Sequence, residues 1–223
     1  MSDIARRKVR FLAGFAVYFG ALWLLWNTPV VYPLKIFVVL LHELSHAMMA
    51  VATGGTLHRI VLNPYQGGAT FTSGGNAFLT LSAGYLGSLL WGSAMVMAAQ
   101  SRRLRPQWVN GALGAFVVVL SALYVRSGFG ILFGVLFGLA LIGVSQKLSA
   151  GLNRSLLLVL GLTSSLYAIL DIKSDIIDRP TANSDAHMLA QLTGVPTLFW
   201  GGLWIVLAIG VSALLFRRAY RKA

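Results

Sequence analysis

Seven runs of apolar residues, 11–26, 34–52, 77–99, 108–125, 128–144, 155–170 and 195–216, constrain the fold of this chain more than any other feature. A helix that crosses a hydrocarbon layer about 30 Å thick takes about 20 residues, and these runs reach or approach that length. Their apolar character is continuous rather than alternating, which specifies helices instead of the strands of a membrane barrel. Hydrophobic residues make up 57% of the chain and charged ones 11%, whereas a soluble domain carries about 25% charged residues. The expected architecture is therefore an all-α polytopic membrane protein. No repeat or polar stretch divides it, so residues 1–223 are expected to form one integral membrane domain.

Basic residues account for the net charge of +12 and gather at the ends of the runs: Arg6, Arg7, Lys8 and Arg10; Arg102, Arg103 and Arg105; Arg217, Arg218, Arg221 and Lys222. Such flanks touch anionic headgroups, so the bilayer itself is a partner. No basic stretch is interleaved with aromatics on a soluble module, so no nucleic-acid partner is expected. The first run has a basic leader, but no small-residue cleavage site follows Trp26, and it reads as an uncleaved helix. Matching basic termini favour an even number of crossings, about six within a range of six to eight. Three apolar runs nevertheless separate the N-terminus from the basic Arg102 loop, so one early segment is expected to be re-entrant or the count to be off by one.

Two segments between the runs carry structure. Residues 56–75 place a Pro-Tyr-Gln-Gly-Gly turn between apolar and β-branched stretches, which predicts a short hairpin with strands near 57–62 and 69–72. Residues 171–196 hold Asp171, Asp175, Asp178 and Asp185, leaving only Asp3 and Glu43 elsewhere. Within that stretch Asn183 or Ser184 serves as an N-cap and Gly194 as a stop, predicting a short helix that begins at Asp185.

The sequence "HELSH" at 42–46 places two histidines and the chain's single glutamate in the second apolar run. On a helix His42 and His46 lie about 40° apart and one turn along the axis, so both rings can reach one tetrahedral ion. Glu43 flanks them, where a carboxylate can accept a proton from a water and return it to a leaving amine. Ionisable groups within a span cost roughly 2.5–3.5 kcal/mol each and mark function. The chain has no cysteine, so any metal, Zn²⁺ included, would be held by His, carboxylate or amide groups. Met49 and Ala52 exclude the extended His motif, and a third ligand that is a carboxylate must come from the 171–185 segment or from Asp3, because no acid occurs between Glu43 and Asp171.

The combination resembles the site-2-protease clan of intramembrane zinc metalloproteases, and in particular its M50B-like bacterial branch. The resemblance spans residues 41–204 and rests on "HELSHA", the Gly-rich hairpin, "AGYLGS" and a later pattern of Ser184, Asp185, Ala186, Leu189, Ala190, Thr193, Gly194, Pro196 and Trp200. It implies that His42, His46 and Asp185 hold zinc and that Glu43 is the general base. Asp185 would replace the clan's Leu-Asp-Gly aspartate, which is absent here. Asp171 is the alternative, and His187 a lesser one, since it points about 200° away from Asp185 on a helix. Gly84, Gly87, Ser88 and Gly92 suit close helix packing. Gly67, Gly68 and Tyr85 are candidates for contact with a transmembrane protein substrate, which the hairpin would hold by strand addition.

The implied activity is intramembrane endopeptidase action, in a multi-pass protein of a bacterial inner membrane. A divalent-metal carrier and a metal-bearing scaffold without proteolytic activity are the rival readings, and the sequence specifies no oligomeric state.

Overall fold

The computed structural model describes residues 3–26, 28–173 and 184–222. Asp175, Asp178 and Asn183 lie outside them. In chain order the elements are α1 (Asp3–Leu25), α2 (Tyr32–Ala52), β1 (Thr56–Leu62), β2 (Gly68–Ser73), α3 (Ala77–Ala99), α4 (Pro106–Tyr124), α5 (Gly128–Lys147), α6 (Ala150–Lys173), α7 (Asp185–Thr193) and α8 (Thr197–Lys222). Among the described residues, all of these helices except α7 are long and apolar enough to cross a membrane, which makes seven.

Local chemistry sets the boundaries. Pro33 and Pro106 open α2 and α4 in the first turn, where a missing N–H costs nothing. The Asn76 side chain accepts from the Leu79 N–H at the head of α3, and Ser184 accepts from the His187 N–H at the head of α7. Gly194 ends α7 at φ 74°, a left-handed conformation that glycine adopts without strain.

The centre of the bundle is α2. Of its most apolar window 72% is buried, against 6% for α1, and Ile36, Phe37, Val38 and Leu41 are fully enclosed. Glycines let the other helices close on each other. A Cβ on Gly92 would stand 2.7 Å from the Gly161 carbonyl oxygen, and one on Gly161 would stand 2.8 Å from that of Gly92, so α3 and α6 meet backbone to backbone. Gly114 and Gly138 do the same for α4 and α5. At one end of the bundle the Asn110 side chain donates to the Asn153 carbonyl and side-chain oxygens, while the Asn153 amide donates to Val144 and Leu148 carbonyls. This buried polar staple ties the start of α4 to the α5–α6 corner.

The directions of the helices resolve the conflict over charge. Contacts of Ala50 with Gly75 and His46 with Thr80 make α2 antiparallel to α3, and those of Ser88 with Ser164 and Gly92 with Gly161 make α3 antiparallel to α6. Tyr18 meets Thr163 and Trp26 meets Tyr167, so α1 runs with α6. It follows that α1 and α2 point the same way, and the chain reverses only once between its N-terminus and Arg102. The start of α1 therefore lies at the same end as the α3–α4 loop and the end of α8, where Phe11 packs on Phe216 and Arg218 reaches Met97. Seven helices and matched basic ends are compatible because consecutive apolar runs need not reverse direction.

The two strands pair antiparallel from Thr56–Ser73 to Leu62–Gly68, with an irregularity between Leu57 and Arg59. β1 is tied on its outer edge to the end of α4, since Arg126 N–H donates to the Ile60 carbonyl. β2 lies along the C-terminal half of α2, where Gly68 abuts Glu43 and Gly75 abuts Ala50. The hairpin is thus anchored between α2 and the end of α4, with Ile60 and Leu62 buried and much of β2 left exposed.

Candidate active site

His42 and His46 leave α2 on one face, their ring centroids 4.8 Å apart. Asp185 reaches them from the first turn of α7. Its Oδ2 lies 2.9 Å from Nε2 of His42 and 3.1 Å from Nε2 of His46. One ligand atom from each of the three residues falls within 4.8 Å of the others, a separation that a single ion can span. Each imidazole keeps its other nitrogen for the protein. His46 Nδ1 donates to the Thr80 carbonyl at 2.7 Å, which leaves Nε2 as the free lone pair. His42 Nδ1 faces Asp171 Oδ2 at 3.9 Å, so Asp171 stands on the far side of the ring from the cluster. His187 is turned away and pairs with Gln191.

Burial alone would raise the Asp185 carboxyl, but the two facing imidazoles outweigh it and hold that group well below the usual carboxylate range. A carboxylate oxygen and two imidazole nitrogens thus converge, a donor set that suits a divalent ion. The fit is tested by Gly84 on α3. A Cβ there would stand 2.4 Å from Nε2 of His42 and 2.5 Å from Nε2 of His46, so only glycine leaves this approach to the ligand atoms clear. Residue types, separations and clearance all suit zinc.

Glu43 is held outside the three-residue cluster. The Thr70 hydroxyl on β2 lies 2.7 Å from Glu43 Oε2 and 2.8 Å from the Glu43 carbonyl oxygen. Gly68 lies against the same carboxylate, where a Cβ would come within 2.5 Å of Oε1. Both contacts come from the hairpin. This function of β2 was not readable from the sequence, because a Thr in a β-rich stretch carries no signal of its partner.

The cluster and Glu43 face a cavity of about 860 Å³ whose lining includes Trp26, Gly67, Gly68, Tyr167, Asp171 and Met188. Tyr85 stands behind the cluster instead. It is buried, sets its ring at 82° to that of His42 and packs on Trp204. Gly87 and Gly92 of "AGYLGS" and the residues after it meet Ser45 of α2 and Ser165 of α6, so this face of α3 serves packing.

Residues 15–215 match the sequence model of the Peptidase M50B-like family. The chain belongs to the M50B-like peptidase family. Among curated proteins and among solved structures, none matches it. M50B-like membership and the His42–His46–Asp185 cluster together make this a membrane-embedded zinc-protease-like active site. In this M50B-like chain the ligand cluster draws on α2 and α7, with His42 and Asp185 143 residues apart.

Proposed function

We propose that this single-domain protein is an intramembrane zinc endopeptidase that hydrolyses peptide bonds of a transmembrane protein substrate. One observation carries the reading: His42, His46 and Asp185 converge while Glu43 stays out of the cluster, bonded to Thr70 and facing the same cavity. A carrier would spend that carboxylate on its cargo, whereas a hydrolase keeps it for protons. His42 and His46 through Nε2 and Asp185 through Oδ2 would hold the metal. When bound, zinc supplies Lewis acidity to a water and to the scissile carbonyl.

Glu43 accepts a proton from the attacking water and delivers it to the departing amine. Thr70 orients the carboxylate, Thr80 fixes the tautomer of His46, and Tyr85 supports the His42 ring. A helical substrate must be locally extended before its carbonyls are accessible. Because α4 holds the outer edge of β1, β2 is the strand on the cavity side, and an extended segment pairs along it past Gly67 and Gly68. The basic end of the bundle faces the cytoplasm. The resemblance to the bacterial branch supports an inner-membrane location.

The test is zinc content of the purified chain together with cleavage of a co-expressed membrane substrate. Glu43→Gln keeps zinc and loses cleavage, and His46→Ala loses both. Cleavage by Glu43→Gln at the wild-type rate overturns the assignment.

A further inference from the structure

A second cavity, of about 620 Å³, lies between α1 and α8 on one side and α3 and α6 on the other. Its walls are apolar, with Phe15, Phe19, Leu158, Leu162 and Phe216 prominent, and Arg10 stands on its lining with Gln100 and Ser155. α1 leans on its neighbours through long side chains rather than close backbone packing: Phe11 and Phe15 rest on Phe216, Lys8 lies over Tyr220, and Tyr18 bonds Thr163. Gly14 lines the gap, and nothing lies within 4 Å of a Cβ placed on it. Ser165, on the opposite wall, keeps a buried hydroxyl with no hydrogen-bond partner among the described residues.

Charge decides what fills this space. Arg10 and Gln100 on its lining stand at the bundle end that collects Arg6 and Lys8 of α1, Arg102, Arg103 and Arg105 after α3, and Arg217 and Arg218 of α8, against one acidic side chain among the described residues, Asp3. An apolar slot at membrane depth beneath a basic rim suits a molecule with a hydrocarbon tail and a negative head. Basic pockets between membrane helices bind anionic headgroups for this reason. We propose that the groove is a binding site for one anionic phospholipid, with an acyl chain between α1 and α6 and the phosphate at Arg10. The lipid replaces the backbone contacts that α1 lacks. It also reaches the catalytic cavity indirectly, because α1 is followed by Trp26 on that cavity's wall.

The experiment uses the full chain in detergent, titrated with dioleoylphosphatidylglycerol or dioleoylphosphatidylcholine, with bound lipid counted by native mass spectrometry. One phosphatidylglycerol per chain is expected, preferred over phosphatidylcholine. Arg10→Gln lowers phosphatidylglycerol binding about fivefold and leaves phosphatidylcholine unchanged, the effect of one arginine at a headgroup. Gly14→Trp fills the slot and removes the adduct, with circular dichroism confirming that the helices persist. Equal binding of the two lipids by the wild type, or a phosphatidylglycerol adduct unchanged in Arg10→Gln, overturns the proposal. The Arg10→Gln comparison decides alone where Gly14→Trp does not fold.

Discussion

Thr70 offers a direct measure of how far the hairpin controls the chemistry. Its hydroxyl lies 2.7 Å from Oε2 of Glu43, and that glutamate is only 6% exposed, so the bond is made in a largely enclosed setting. Thr70→Val removes the hydroxyl with little change of shape. A hydrogen bond to a charged group contributes about 1.5–3 kcal/mol, which corresponds to a fall in kcat of about 10- to 150-fold if the bond holds Glu43 in its working orientation. Thr70→Ser keeps the hydroxyl and stays near the wild-type rate. Zinc content remains at the wild-type level in both, because Thr70 touches none of the three ligands. The assay is cleavage of a membrane substrate by purified enzyme in bicelles, with metal measured in parallel. A double-mutant cycle sharpens it: in a Glu43→Gln background Thr70→Val adds far less than it does alone. Wild-type kcat in Thr70→Val refutes the positioning role, and loss of zinc in that variant would show that β2 supports the metal ligands instead.

Other substitutions probe the remaining contacts. Asp185→Asn loses most of its zinc, whereas Asp171→Asn retains the metal with affinity lowered about 10- to 100-fold, the usual effect of removing a carboxylate that faces a ligand's other nitrogen; equal occupancy of the two variants in a competition titration contradicts the assignment. Gly84→Ala thrusts a methyl group against both Nε2 atoms and abolishes zinc binding while the helical circular dichroism persists. Gly68→Ala displaces the Glu43 carboxylate, so it lowers kcat by about 10²-fold or more without loss of metal, as metal analysis and turnover together will check. Gly92→Ala forces α3 off α6 and destabilises the fold by about 1–3 kcal/mol, read as a lower melting temperature in detergent.

Much of this arrangement is legible in the residues because the constraints are local or categorical. Apolar length marks seven runs that all form helices, where matched basic termini favoured about six crossings, and the Pro-Tyr-Gln-Gly-Gly turn predicts the hairpin within a residue or so of each strand end. Ser184 and Gly194 bracket α7 because capping depends on neighbours in sequence. The spacing of His42 and His46 is itself a geometric statement about one helix. Direction and partnership are less legible. That α1 runs with α2 depends on tertiary contacts such as Trp26 with Tyr167, and residue counting assumes that each run reverses the last. Thr70 and Thr80 hold Glu43 and His46 through a hydroxyl and a backbone carbonyl, groups too common to stand out in a sequence. Tyr85 is a candidate for substrate contact from the sequence, yet the side of the helix it occupies depends on the packing of α3 against α8 and α2.

The pairing of Asp185 with two histidines, the first of them encoded 143 positions earlier, has a bearing on biosynthesis. During translation the histidines and the glutamate enter the membrane long before the aspartate is made. A nascent or truncated chain that stops short of Asp185 therefore lacks one of the three clustered ligands.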